Sequence, residues 1–162
     1  MYQLNAMVTD IGTGLLGMLT HLNIEMNQTR VYRFQPRGLN PETGAPVSAL
    51  WIVPERIKGG ITVPEPELPL QVLGTDVEDI ATGFKGTATA LVLHATGCLH
   101  IAIQPKGKLK STGAPADGHD FDIRRVKGSA LKPMTAKQVK KSQDKDPSPI
   151  EAPTYKPART SC

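Results

Sequence analysis

Between Cys98 and Ile103 apolar and polar positions alternate, with Leu99, Ile101 and Ile103 on one face and Cys98, His100 and Ala102 on the other. A period of two over such a run predicts a half-buried β-strand, and Pro105 ends it. "LGTDVED" at 73–79 predicts a strand entering a turn, and "GTATALVLHA" at 86–95 a Thr- and Val-rich strand. "TG" at 96–97 makes a tight connection, "KGKLKSTGAPADG" at 106–118 a polar loop, and "HDFDIRRV" at 119–126 a strand, a tight turn and a final strand. The first half of the chain has the same order: "NAMVTD" at 5–10, "GMLTHLNIEM" at 17–26, "RVYRFQP" at 30–36, a loop at 37–48, and "ALWIVPERI" at 49–57. Tyr32 and Phe34 share a face, and together with Trp51 are expected at or near the core.

The shared order is a duplication. Displacing the sequence by 69 positions superposes "DIGTGLLG" at 10–17 on "DIATGFKG" at 79–86 and gives 19 identities over the 56 positions from Leu4 to Gly59, without a gap. Arg56 falls on Arg125, Gln35-Pro36 on Gln104-Pro105, and Thr43 to Pro46 on Thr112 to Pro115. Each repeat of about 55 to 60 residues is near the lower limit for independent folding, so the two are expected to pack on each other or on a partner.

Five short strands per repeat, with a tight turn before the last, predict an all-β protein: two tandem small antiparallel β-barrels plus an extended C-terminal tail. Barrel closure removes the exposed edges that so small a sheet would otherwise present. "ALWIVPERI" is similar to the end of SH3-type barrels, and the Val-x-Asp-Ile-x-Thr-Gly-x-x-Gly opening resembles the first hairpin of SH3-like and KOW-type barrels. The repeated phrase then reads as a structural turn. Asp10 and Asp79 accept backbone N–H bonds, Gly14 and Gly83 take a positive φ, and Gly17 and Gly86 close the motif. The expected organisation is a first SH3-like barrel at 1–58, a Pro-rich linker at 59–72, a second SH3-like barrel at 73–127 and a basic Pro/Lys-rich tail at 128–162. Alternating Ile61, Val63, Leu68 and Leu70 place the linker on a barrel surface. The tail composition predicts disorder in isolation, with "MTAKQVKK" at 134–141 a candidate for a short helix on a partner.

The net charge of +4 conceals this division. From Lys127 onward there are eight Lys/Arg and three Asp/Glu, so residues 1–126 carry 11 basic and 12 acidic groups and are near neutral. No apolar run is long enough to span a bilayer, and the N-terminus lacks the basic-then-apolar pattern of a secretory signal.

The pattern points to no enzyme, cofactor or metal. His21, His94, His100 and His119 are not at metal-ligand spacings. Gly12-x-Gly14-x-x-Gly17 matches a dinucleotide fingerprint literally, but a strand follows it and Ala81 replaces the first glycine in the second copy. A near-neutral pair of repeats with few aromatics argues against nucleic-acid binding and against SH3-style peptide binding. Cys98 and Cys162 form neither a disulfide framework nor a metal motif. Cys98 is expected as a buried thiol; Cys162, on the tail, is an exposed thiol or an intermolecular disulfide.

From Leu73 to Pro105 the pattern L-G-x-x-V-x-D-x-x-T-G-F-x-G, then T-A and G-C, resembles small proteins encoded by tailed bacteriophages. The first repeat follows it loosely, with Leu15 for the Phe and Gln28-Thr29 for the Gly-Cys. The resemblance implies a virion protein, assembled in the host cytoplasm, with a structural role. The leading expectation is a capsid decoration or cement protein that bridges neighbouring subunits. Its partners would be the major capsid protein or other virion proteins, and it would form a homo-oligomer without a membrane. Neck or tail attachment is a close variant, and an intracellular KOW-like adaptor for protein or nucleic acid is the rival.

Overall fold

A computed structural model describes residues 1–107 and 116–131. The tail beyond 131, with Cys162 and the 134–141 segment, lies outside the described residues, as do residues 108–115 of the second polar loop. Residues 1–131 belong to one compact unit.

The described residues are all-β, with ten antiparallel strands, three short 3-10 turns and no α-helix. The first repeat contributes β1 (Met7–Asp10), β2 (Leu16–Glu25), β3 (Arg30–Pro36), β4 (Leu50–Ile52), a 3-10 turn at Pro54–Arg56 and β5 (Ile57–Lys58). The second contributes β6 (Asp76–Asp79), β7 (Lys85–His94), β8 (Leu99–Gln104), β9 (His119–Asp122), a turn at Ile123–Arg125 and β10 (Val126–Gly128). Each repeat pairs its strands identically: first with second, second with third, third with fourth, and first with fifth.

The expectation of two barrels meets a different arrangement. Neither repeat closes its sheet, because no ladder joins β4 to β5 or β9 to β10. Those edges stay unpaired, and the repeats join through their long second strands instead: β2 pairs antiparallel with β7, from His21↔His94 to Glu25↔Ala90, making one ten-stranded sheet. Long strands allow this by changing partner midway. Leu16 to Met18 of β2 pair with β1, and His21 to Glu25 pair with β7. The change falls at a register shift between Leu19 and His21, matched between Ala88 and Ala90 in β7. Such a bulge bends a strand and turns its edge to a new neighbour.

The join has local two-fold symmetry. Thr20 O accepts from Ala95 N and Thr89 O accepts from Met26 N, both at 2.9 Å. Thr20 and Thr89 are equivalent under the 69-residue displacement, and so are Met26 and Ala95.

Inward positions of the strands build two adjacent cores. Val8, Leu19, Leu22, Ile24, Tyr32, Phe34, Ile52 and Ile57 are buried in the first, and Val72, Val77, Ala88, Leu91, Ile101, Ile103 and Val126 in the second. Phe34 meets Ile103 in the alignment, and both are fully buried. Leu68, Leu70 and Leu73 pack against both cores, so the end of the linker ties the repeats together. Its beginning pairs with the N-terminus through a Tyr2↔Thr62 bridge, and Arg30 grips Glu65 with two bonds of 2.9 Å. Val63, Leu68 and Leu70 are half-buried as expected of a linker lying on the surface, whereas Ile61 is exposed.

Two further expectations are corrected. Tyr32 and Phe34 are core residues, but Trp51 is 53% exposed; it lies between inward Ile52 and half-buried Leu50 in a three-residue strand and points out. Cys98 is half-buried at the β7–β8 turn, outside both cores, with its Sγ 3.3 Å from Thr96 Oγ1.

Candidate binding surface on the outer sheet face

The six turn residues named from sequence are brought together in two copies of one clasp. Asp10 is fully buried and accepts bonds from Gly12 N and Thr13 N at 3.2 Å and from Thr13 Oγ1 at 2.6 Å. It also takes two charge-assisted bonds, from Arg56 Nε at 2.8 Å and Nη2 at 2.6 Å. Asp79 repeats this with Thr82 Oγ1 at 2.6 Å and with Arg125 Nε and Nη2 at 3.1 and 2.9 Å. Gly14 and Gly83 have φ of 73° and 72°, as the turn requires. Gly17 and Gly86 serve a different need, close approach: a Cβ at Gly17 would lie 2.6 Å from the Phe34 ring, and one at Gly86 2.6 Å from the Gln104 carbonyl carbon.

The two clasps differ in the length of their arginine bonds and in one residue of the turn, Gly12 against Ala81. The Arg56 guanidinium lies over Gly12, where a Cβ would come within 2.7 Å of its Cζ. In the second repeat Ala81 occupies that place and the arginine bonds are longer. The Arg56 bonds, helped by Thr13 and Gly12 against the cost of burial, lower the Asp10 pKa to about 2. Burial opposes ionisation of Asp79 as well, but the Thr82 hydroxyl and Arg125 still hold it below the usual range. The arginines are the residues that sequence reading missed. Their signal was present, since Arg56 and Arg125 repeat at the same displacement as the aspartates.

What the clasps carry is a solvent-facing sheet whose chemistry differs between halves. Trp51 faces Arg33, Arg33 faces His21 and His21 faces His94 across successive strands. The His21 and His94 rings are 4.2 Å apart between centroids, His94 and His100 4.5 Å, and His21 and Trp51 6.5 Å. The His21 Nδ1 lies 2.8 Å from Thr20 Oγ1. Partial burial, with the neighbouring His94, Arg33 and His100 charges, lowers the His21 pKa to about 4. Burial and His100 lower His94 as well, against the pull of Asp120. His21 is therefore neutral at pH 7. Across the two-fold the equivalents of Trp51, Arg33 and His21 are Asp120, Ala102 and Ala90. The sequence gives the histidines no metal-ligand spacing; their convergence depends on the β2–β7 join, which no local pattern encodes.

The outer hairpins diverge in the same way. In the first repeat Met7 pairs with Met18 and Thr9 with Leu16, and Met7, Leu16 and Met18 are 43%, 45% and 37% exposed. The second repeat has Asp76, Thr87, Glu78 and Lys85 at these places. A shallow groove there is lined by charges that pair among themselves: Lys106 with Asp76 at 2.7 Å, and Glu78 with Lys127 at 3.3 Å and Lys85 at 3.4 Å. One half thus offers an apolar and aromatic surface, the other a self-neutralised one. Among the described residues no three His, Cys, Asp or Glu side chains are arranged to hold a metal, and no helix is long and apolar enough to cross a membrane. No family model, no curated protein and no solved structure matches the chain.

Proposed function

We propose that the chain is a non-enzymatic structural protein of a phage particle, a capsid decoration protein that bridges neighbouring subunits through its outer sheet face. Each repeat is read as an open SH3-like unit joined to its copy through the second strand. The observation that carries the proposal is the apolar cluster Met7, Leu16 and Met18, exposed on a hairpin whose counterpart has Asp76, Lys85 and Thr87. Exposed apolar clusters on an otherwise polar surface mark interaction sites, and a two-repeat sheet supplies a wide, preorganised one. The phage context comes from the sequence pattern between Leu73 and Pro105. Mass spectrometry of purified particles tests the proposal: the chain is expected at stoichiometric copy number, and its absence removes the reading.

A second reading draws on Trp51, an exposed indole beside exposed Arg33. Such a pair suits stacking on a single-stranded nucleic acid. This adaptor reading requires retention on single-stranded nucleic acid that falls with salt and is lost in Trp51→Ala.

A further inference from the structure

Cys98 is disulfide-bonded. The chain has two cysteines, and the other is Cys162. Nothing in the fold asks for a cysteine at position 98. It lies outside both cores. Under the 69-residue displacement its equivalent is Thr29, which is exposed. The two turns share one backbone form. His94 N donates to Cys98 O at 2.8 Å and Gly97 N to His94 O at 2.9 Å; Glu25 N donates to Thr29 O at 2.9 Å and Gln28 N to Glu25 O at 2.7 Å. Gln28 and Gly97 both take a positive φ, 65° and 86°. The first repeat makes this turn with a threonine, so the sulfur of Cys98 serves something beyond the turn.

The turn is placed to hold a second segment. Thr96 Oγ1 donates to the Cys98 sulfur at 3.3 Å, which fixes where the sulfur sits. Ala95 N donates to Thr20 O of the first repeat at 2.9 Å, so the turn stands at one end of the β2–β7 join. Leu131 packs against the second core. Just before it, β10 lies on β6, which pairs with the 85–87 end of β7. Cys98 follows the other end of that strand. The distance to be crossed is about 33 Å, the length of a ten-residue strand. The 31 residues after Leu131 can reach up to about 100 Å.

We infer that Cys98 and Cys162 of one chain form a redox-sensitive disulfide that ties the end of the C-terminal tail to the β7–β8 turn, closing residues 98–162 into a ring. Closure within one chain has an effective concentration on the order of mM, which favours it over a bond to a second copy in dilute solution. The bond forms by exchange with a small-molecule disulfide such as oxidised glutathione. One cysteine thiolate attacks that disulfide, releases one glutathione thiol and leaves a mixed disulfide. The other cysteine thiolate attacks the protein sulfur of the mixed disulfide and releases the second glutathione thiol. The protein loses two electrons and the glutathione disulfide gains them, and the two protein thiol protons pass to the released thiols. Reducing cytosol keeps such a pair open and an oxidising exterior keeps it closed, so the tail is free during assembly and secured afterwards. This holds whether or not the chain is a virion component.

The test uses full-length protein equilibrated with oxidised or reduced glutathione, alkylated, and digested with trypsin without reductant. In the oxidised sample the expected product is residues 86–106 joined to residues 160–162, from protein that migrates as a monomer. In the reduced sample both cysteines are alkylated. Cys98→Thr copies the first repeat and should keep the turn. Its hydrodynamic radius in oxidised buffer is expected to equal that of reduced wild type and to exceed that of oxidised wild type. Two alkylated cysteines in the oxidised sample overturn the inference. So does a linked pair found only in a dimer, which would mean a bond between copies. Equal radii for oxidised and reduced wild type would show that the bond does not restrain the tail.

Discussion

Asn23 faces Val92 at the centre of the join between the repeats, and the two are the same position of the duplicated sequence. The local two-fold axis passes between them, as in a symmetric dimer interface, where a residue on the axis meets its own copy. Asn is poorly suited to a half-buried strand site and Val well suited, so the two repeats give different solutions at one place. Asn23→Val is expected to raise the stability read from urea unfolding by about 0.5 kcal/mol, and Val92→Asn to lower it by a similar amount. No change in either variant would mean that the join contributes little to the fold.

The clasps should differ in stability as they do in geometry. Arg56→Ala leaves the Asp10 carboxylate buried without its counter-charge, a loss on the order of 3 kcal/mol. Arg125→Ala is expected to cost less, because its bonds to Asp79 are longer. Acid acts on the same carboxylate. With its folded pKa near 2 against 3.8 unfolded, Asp10 contributes stability that is present above pH 4 and lost as the pH falls toward 2. Thermal midpoints of the two variants at pH 7 check the order; equal losses would show that Ala81 has no effect on the second clasp.

Much of this was legible in the sequence because it is local. Period-two alternation between Leu99 and Ile103 marks the strand and its buried face, and Asp-x-x-Thr-Gly marks the turn. Three things were not legible. Trp51 sits in a strand of three residues, too short for alternation to fix its face, and the preference of large apolar residues for the interior pointed the wrong way. Its equivalent, Asp120, was the better guide, since one position in a duplicated sheet faces one way. The joining of the repeats was hidden because the half of β2 that lies beyond β1 pairs with β7 of the other repeat, a choice that depends on tertiary geometry. The His21–His94–His100 row follows from that choice and was hidden with it.

Gly14 and Gly17 separate two uses of glycine. Gly14→Ala meets open space but must hold φ at 73°, a cost of about 1 kcal/mol. Gly17→Ala keeps an ordinary φ but drives a methyl into the Gln35 carbonyl and the Phe34 ring. Neither neighbour can move, since one is strand backbone and the other fully buried, so the cost should exceed that of Gly14→Ala and reach about 1–3 kcal/mol. Denaturation midpoints of the two variants decide it, and the reverse order would show that the β2–β3 contact relaxes easily.

The histidine row makes the join sensitive to mild acid. Unfolded, His21 takes a proton near pH 6.5; folded, it does so near pH 4, because its ring is partly buried beside His94, His100 and Arg33. Asp120 pulls the other way on His94 but does not reverse its shift. Below pH 6.5 the unfolded chain therefore binds more protons than the folded one, so stability falls as the pH drops from 6.5 toward 4. Solvent around the half-exposed rings limits the loss to about 1 kcal/mol. This window lies above that of Asp10, so the two effects separate on a pH axis. His21→Ala, which copies Ala90 of the other repeat, should flatten the curve between pH 6.5 and 4 and leave the lower limb in place. Urea midpoints at pH 7, 5.5 and 4.5 measure it. A wild-type midpoint unchanged between pH 7 and 4.5 would show that the rings separate on protonation without strain on the join.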